Sequence, residues 1–267
     1  MGALKGVFSF FTMIRLDITQ DDMDAMDRRF WLVPTVGVLY GLIAALMMTV
    51  LTHYINPLVS SVLTFFVIFA FNRFLHIDGT IDTGDGLVVA GGREDHLRAL
   101  KDSRIGAGGM AFALMIILMN ITMAASLWIP LMAIMMFSAE ILAKVGMVSA
   151  AASGEPGSGM AGNSVRNTNA LSLLYAIILA VFFIVLFGAL IWLLQEHTSI
   201  PVAMVDDWWL FLIVSLIVSV FAGLLMSKTA KKNFGMVNGD VLGASNEITR
   251  AMVYLTFLIL TYVVYVW

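Results

Sequence analysis

Apolar residues in this chain come in long stretches, separated by short segments that hold nearly all of the charge. Seven windows, 30–51, 54–72, 106–128, 130–150, 170–195, 208–227 and 251–267, approach the ~20 apolar residues that a helix needs to cross a bilayer. The uncharged run from Ile105 to Ala139 is too long for one span, and Pro130 divides it. The last window is short and ends on Trp267, a natural interfacial anchor. The pattern predicts an all-α, polytopic membrane helix bundle of seven spans, or six if the second or last window lies at the interface. Ahead of it, Leu4, Phe8, Phe11 and Ile14 recur at helical spacing between Lys5 and Arg15, which predicts an interfacial amphipathic helix. No internal repeat or low-complexity linker divides the chain, so residues 1–267 read as a single integral membrane domain.

Composition agrees. Sixty per cent of the residues are hydrophobic and 12% charged, the latter about half the usual share of a soluble protein. Mean hydropathy is +0.94. Such a chain can be neither disordered nor a soluble domain of ordinary surface. The net charge of −3 argues against a nucleic-acid partner. With no cysteine, disulfides, thiolate metal sites and cysteine nucleophiles are excluded. Threading seven spans puts all 15 basic residues on one side, with residues 1–29, 73–105, 151–169 and 228–250, counting Lys144 near the inner end of its span. By the positive-inside rule that side is cytoplasmic, as is the N-terminus, in a multi-pass protein of the cell (inner) membrane.

The polar residues then locate the chemistry. Segment 73–105 is the densest, and Asp78, Asp82 and Asp85 stand at i, i+4 and i+7, one face of a helix. Carboxylates stacked this way repel unless a cation neutralises them, and an all-oxygen set suits Mg²⁺, Mn²⁺ or Ca²⁺. Asp102, between Lys101 and Arg104, could close the site from the next helix. Arg93 and Arg98 add positive charge, and Gly106, Gly108 and Gly109 open a span whose N-terminal amides could meet a phosphate. The competing readings are a solvated acidic turn and close helix packing through small residues. On the same side, Asp240, Asn246 and Glu247 form a second cluster, and His76 follows the second span. Glu140 and Lys144, four apart inside the fourth window, either serve function or pair with each other.

The run H-I-D-G-T-I-D-T-G-D-G-L, then G-G, then K-D-S-R-I-G, resembles the adenosylcobinamide-GDP ribazoletransferase (cobalamin-5'-phosphate synthase) family, whose pattern is close to H-L-D-G-x-x-D-T-x-D-G-L … G-G … (M/K)-D-S-R-x-G. W-L-V-P-T-V-G-V-L-Y-G, S-G-E-P-G-S-G-M-A and N-G-D-V-L-G-A-S-N-E resemble its first span, its Gly-rich inner loop and its G-D-x-x-G-A-x-x-E segment, in order. F-F-T-M-I-R departs from the family's start, and Lys144 stands where an Arg is common.

The resemblance implies a phosphotransferase acting on adenosylcobinamide-GDP and α-ribazole or its 5'-phosphate. It would release GMP and depend on Mg²⁺, with Mn²⁺ as substitute. The acceptor's 3'-hydroxyl would attack the phosphoryl group beside the aminopropanol of cobinamide. On this reading Asp78, Asp82, Asp85 and Asp102 hold the metal, and Asp102 or Asp85 is catalytic, Asp102 being favoured as the base. Arg98, Lys101, Arg104 and Gly106 meet phosphate oxygens, while His76, Asp240, Asn246 and Glu247 contact substrate. Membrane lipid is the other partner, and a homo-oligomer stays open. The related CDP-alcohol phosphotransferases share D-x-x-D-G, present as Asp82 to Gly86, but Leu-Val-Val-Ala follows where their A-R is expected. A transporter would carry its charges nearer the midplane and show an inverted repeat.

Overall fold

The computed structural model describes residues 2–157, 159–197 and 208–265. These form twelve helices: α1 (Gly2–Phe11), α2 (Gln20–Arg28), α3 (Pro34–Tyr54), α4 (Pro57–Phe71), α5 (Leu75–Val88), α6 (Arg93–Leu100), α7 (Ala107–Ala125), α8 (Ile129–Ser153), α9 (Met160–Asn167), α10 (Ala170–His197), α11 (Trp208–Asn233) and α12 (Gly239–Tyr265). No strand appears among the described residues. The expected outer segment 195–207 lies mostly outside them, as does Trp267.

Local signals explain several boundaries. Proline opens α3, α4 and α8 in the first turn, where its missing N–H costs nothing. Thr19 and Asp22 cap α2 reciprocally. Six helices are long and apolar enough to cross a membrane. These are Phe30–Tyr54, Ala107–Ala125, Leu131–Ser153, Ala170–Leu194, Trp208–Asn233 and Gly239–Tyr265.

Three expectations need correction. The second window is not one straight span: α4 has only 15 residues, and α5 leaves it at 92°. Counting that bent pair as one span gives seven. Segment 73–105 is not an open loop but α5 and α6. The last span begins at Gly239 rather than residue 251, because Asp240, Asn246, Glu247 and Arg250 are carried within α12.

Helix α8 is the hub. Every residue from Ile134 to Ala151 is buried, and α3, α10, α11 and α12 all pack on it. An apolar helix with no polar face belongs in such a position. Between α3 and α8 the backbones nearly touch: a Cβ at Gly37 would lie 2.8 Å from the Glu140 carbonyl oxygen. Small residues allow this approach, which substitutes for the missing hydrophobic drive between helices in lipid. The outward faces stay apolar, with Phe66, Leu118, Phe182 and Phe221 exposed.

The N-terminal helix forms, but its buried face is not the one the spacing of Leu4, Phe8, Phe11 and Ile14 predicts: Leu4 is exposed and Ile14 lies beyond the helix end. Ala3, Val7 and Phe11 face the bundle, whereas Leu4 and Lys5 are exposed.

Candidate active site

The 92° bend sets the site. Arg73 and Phe74 both adopt φ of +57°, a left-handed conformation rare for residues with side chains. Such strain persists where surroundings over-determine it. Here Arg73 donates to the Phe10 carbonyl at 2.7 Å, and Met13 N–H donates to the Phe71 carbonyl at 2.7 Å. The end of α1 therefore clamps the bend, and α5 is thrown across the end of α12.

Where they cross, space is minimal. A Cβ at Gly79 would lie 2.7 Å from the Asp240 Cα, so only glycine fits. Gly243 of α12 similarly faces the backbone of His76. The crossing brings Asp78 and Asp82 of α5 beside Asp240 of α12, and Asp82 experiences the charges of Asp240, Asp78 and Asp85. The two acidic clusters, far apart in sequence, meet here, as expected if the second cluster on the same side completes the first.

The other two aspartates are differently engaged. Asp85 accepts the amides of Gly106 and Gly109, each at 2.7 Å. It thereby caps the N-terminus of α7, the position the glycines had suggested for a phosphate. Asp102 accepts from Arg104 N, Nε and Nη2 at 3.0, 3.1 and 2.9 Å. These charge-assisted bonds hold its carboxyl at about 2. Arg98 and Arg104 are exposed, with side chains 78% and 88% accessible, and so is Lys101. Arg104 is engaged by Asp102 and Arg98 lies 3.8 Å from Asp95, while all three cations remain open to solvent. His96 Nδ1 lies 2.7 Å from the Gly86 carbonyl oxygen and ties α6 to α5.

Among the described residues, no three His, Asp or Glu side chains are grouped closely enough to hold a metal ion by themselves. That arrangement still fits Mg²⁺, which usually takes one or two carboxylates and completes its shell with water and substrate phosphates.

Behind the cleft lies a network that the sequence did not reveal. Arg250 pairs with Glu140 Oε1 at 2.7 Å and donates to its Oε2 at 3.0 Å. It also donates to Glu247, while Lys144 donates to Asn246 at 2.7 Å and Asn246 to Glu247 at 2.9 Å. All five are essentially inaccessible. Glu140 and Lys144 therefore do not pair with each other; each reaches across to α12. Asn246 and Glu247 sit inside the bundle, where they brace the site rather than line it. Two anions and two cations leave the set neutral, which makes its burial tolerable. Phe65 and Phe69 stack near the guanidinium, 5.6 and 5.8 Å from its carbon. Arg250 had one detectable signal: a lone Arg three residues after Glu247 at the head of an apolar run.

His76 is 1% exposed and connects network to cleft. Its Nδ1 lies 3.5 Å from Asn72 Nδ2 and 3.7 Å from Glu247 Oε1, while Nε2 is buried without a partner. His76 also borders a cavity of about 100 Å³ lined by Phe11, Met26, Phe30, Met147, Asp78 and Asp240, among others.

Comparison with known proteins agrees with this picture. A family model described as Cobalamin-5-phosphate synthase matches residues 3–258. The adenosylcobinamide-GDP ribazoletransferase of Methanocella arvoryzae is 31% identical over 94% of this chain and 92% of its own. The proteins of that name from Thermococcus onnurineus and Pyrococcus abyssi are 30% and 28% identical, covering 93% and 95% of this chain and 94% and 97% of theirs. No solved structure matches. With the match running from α1 into α12, through both acidic clusters and the buried network, the chain belongs to the cobalamin-5-phosphate synthase family.

Proposed function

We propose that this protein joins adenosylcobinamide-GDP to α-ribazole or its 5'-phosphate, releasing GMP. The observation that carries the reading is the crossing of α5 and α12 at Gly79, which brings Asp82 into the field of Asp78, Asp85 and Asp240. Carboxylates gathered at a helix crossing suit a cation-bound diphosphate.

In the reaction the acceptor's 3'-hydroxyl oxygen forms a bond to the phosphorus next to the aminopropanol. The anhydride bond from that phosphorus to GMP breaks, and GMP leaves with the electron pair. Such a transfer asks the protein mainly for alignment and charge stabilisation. One or two of Asp78, Asp82 and Asp240 would hold Mg²⁺, or Mn²⁺ in its place, with water and the diphosphate completing its shell, and the bound cation would neutralise phosphate charge. Arg98, Lys101 and Arg104, exposed along and just after α6, would supply positive charge for the non-bridging oxygens. A cleft carboxylate accepts the hydroxyl proton. Asp102, held below the ordinary carboxylate range by the Arg104 guanidinium, is poorly suited to that role. The side carrying the basic residues faces the cytoplasm, with the N-terminus and the cleft.

The test is GMP release from adenosylcobinamide-GDP by purified protein in lipid nanodiscs, with acceptor and Mg²⁺. Wild type should turn over, chelation should stop it, and Asp82→Ala should lower the rate at least ~100-fold while remaining folded. Unchanged turnover by Asp82→Ala would overturn the assignment of the cleft.

A further inference from the structure

Between the ends of α5 and α6 and the start of α7 lies an open groove of about 260 Å³. Against the ~30 Å³ that one molecule takes up in liquid water, it has room for a phosphate group. Val88, Val89 and Ala99 supply its apolar lining, and Asp85, Asp102 and Arg104 its charged side chains. Asp85 stands about one turn beyond Asp82 on α5, so the groove adjoins the aspartate cleft.

Both carboxylates of the groove are already engaged. Asp85 accepts from Gly106 and Gly109 at the head of α7. Asp102 accepts from Arg104 at both oxygens, Oδ1 from the backbone N–H and Nε, Oδ2 from Nη2. Asp102 is itself tied to the end of α6, its N–H donating to the Ala99 carbonyl at 3.2 Å. A guanidinium carries five N–H donors in a flat fork. Asp102 grips the edge made by Nε and one hydrogen of Nη2. The other edge, Nη1 and the second hydrogen of Nη2, has no partner among the described residues. It is all donor, and its geometry matches two oxygens of a phosphate.

Stability does not account for this grip. The Arg104 side chain is 88% accessible and that of Asp102 35%, and ion pairs so exposed add little to a fold. Orientation does account for it. A solvent-exposed arginine gives up rotamer freedom when it meets a ligand, and that loss weakens binding unless it is made beforehand.

We propose that Asp102 is a positioning residue: it grips one edge of the Arg104 guanidinium and turns the other toward a non-bridging oxygen of the donor's diphosphate in this groove, acting on the reaction only through Arg104. The assignment rests on the ribazole-transfer reading and deepens it. It replaces the metal-ligand and base roles expected of Asp102 from the sequence. It also sets Arg104 apart from Arg98 and Lys101, neither of which lines the groove.

The test is a double-mutant cycle on Asp102→Ala and Arg104→Ala in nanodiscs, read as donor Kd by calorimetry without acceptor and as GMP release with it. Both sites are exposed, so both variants should melt within ~2 °C of wild type. Arg104→Ala should weaken donor binding roughly 10–100-fold, the loss of a charged two-bond grip. Asp102→Ala should weaken it roughly 3–10-fold when Arg104 is present. In the Arg104→Ala background the same change should shift donor Kd by less than about twofold. Charge alone predicts the opposite sign, because removing a carboxylate beside an anion tightens binding. Acceptor KM should stay within about twofold throughout. An Asp102→Ala penalty that persists in the Arg104→Ala background would overturn the assignment. So would an Arg104→Ala protein that binds donor as wild type does, or an Asp102→Ala protein that binds it more tightly. A wild type that binds donor but releases no GMP with acceptor and Mg²⁺ would instead overturn the transfer reading, and the binding cycle would still decide the pair.

Discussion

Arg250→Met is the sharpest probe of the buried network. Arg250 contacts both oxygens of Glu140 and one of Glu247, and all three side chains are fully enclosed. Met preserves much of the volume but leaves two carboxylates opposed by Lys144 alone. Breaking a buried pair by deleting one partner costs about 3–5 kcal/mol, chiefly through the uncompensated charge left behind. That corresponds to a fall in melting temperature on the order of 10 °C. The charge count supplies a control: Glu140→Gln combined with Arg250→Met restores neutrality. The double variant should recover more than half of the loss, a non-additivity that only contacting residues show. Thermal unfolding of the purified single and double variants in nanodiscs measures both. An Arg250→Met protein within about 1 kcal/mol of wild type would refute the reasoning, as would a double variant whose loss is the sum of the singles.

Three further outcomes follow from the geometry. Asp85→Ala removes the carboxylate that caps α7, so it should cost about 1–2 kcal/mol of stability in addition to any loss of turnover; thermal unfolding separates this from the purely kinetic effect expected at Asp82. Gly79→Ala pushes a methyl group toward the Asp240 backbone, and the overpacking should cost about 1–3 kcal/mol and lower GMP release together with it. Asp27 accepts from Ser164 between α2 and α9, and burial raises its pKa above the ordinary carboxylate value. Its charged form is therefore disfavoured in the folded state, and stability falls as pH rises through the raised pKa. Asp27→Asn, which keeps the acceptor oxygen, should be more stable than wild type at pH 7 and equal to it at acidic pH, as read by melting temperature across pH.

Much of this was already fixed by the order of residues. Helical class, apolar spans and the sidedness of charge follow from local composition, because a bilayer forces any apolar run of that length to satisfy its own backbone as a helix. The i, i+4, i+7 spacing put Asp78, Asp82 and Asp85 on one face without any tertiary information. What spacing cannot give is which distant helix that face meets. The 92° break depends on two left-handed residues that carry no glycine signal, and the clamp from α1 that holds them is made about sixty residues away in sequence. Only the crossing at Gly79 joins Asp240 to the α5 aspartates, and only the folded chain turns Asp85 and Asp102 toward partners of their own. Glu140 and Arg250 stand 110 residues apart, and neither could be buried alone. Their pairing is a property of helix packing, since an ion's partner inside a bundle is chosen by distance in space and by the cost of leaving either charge unmet.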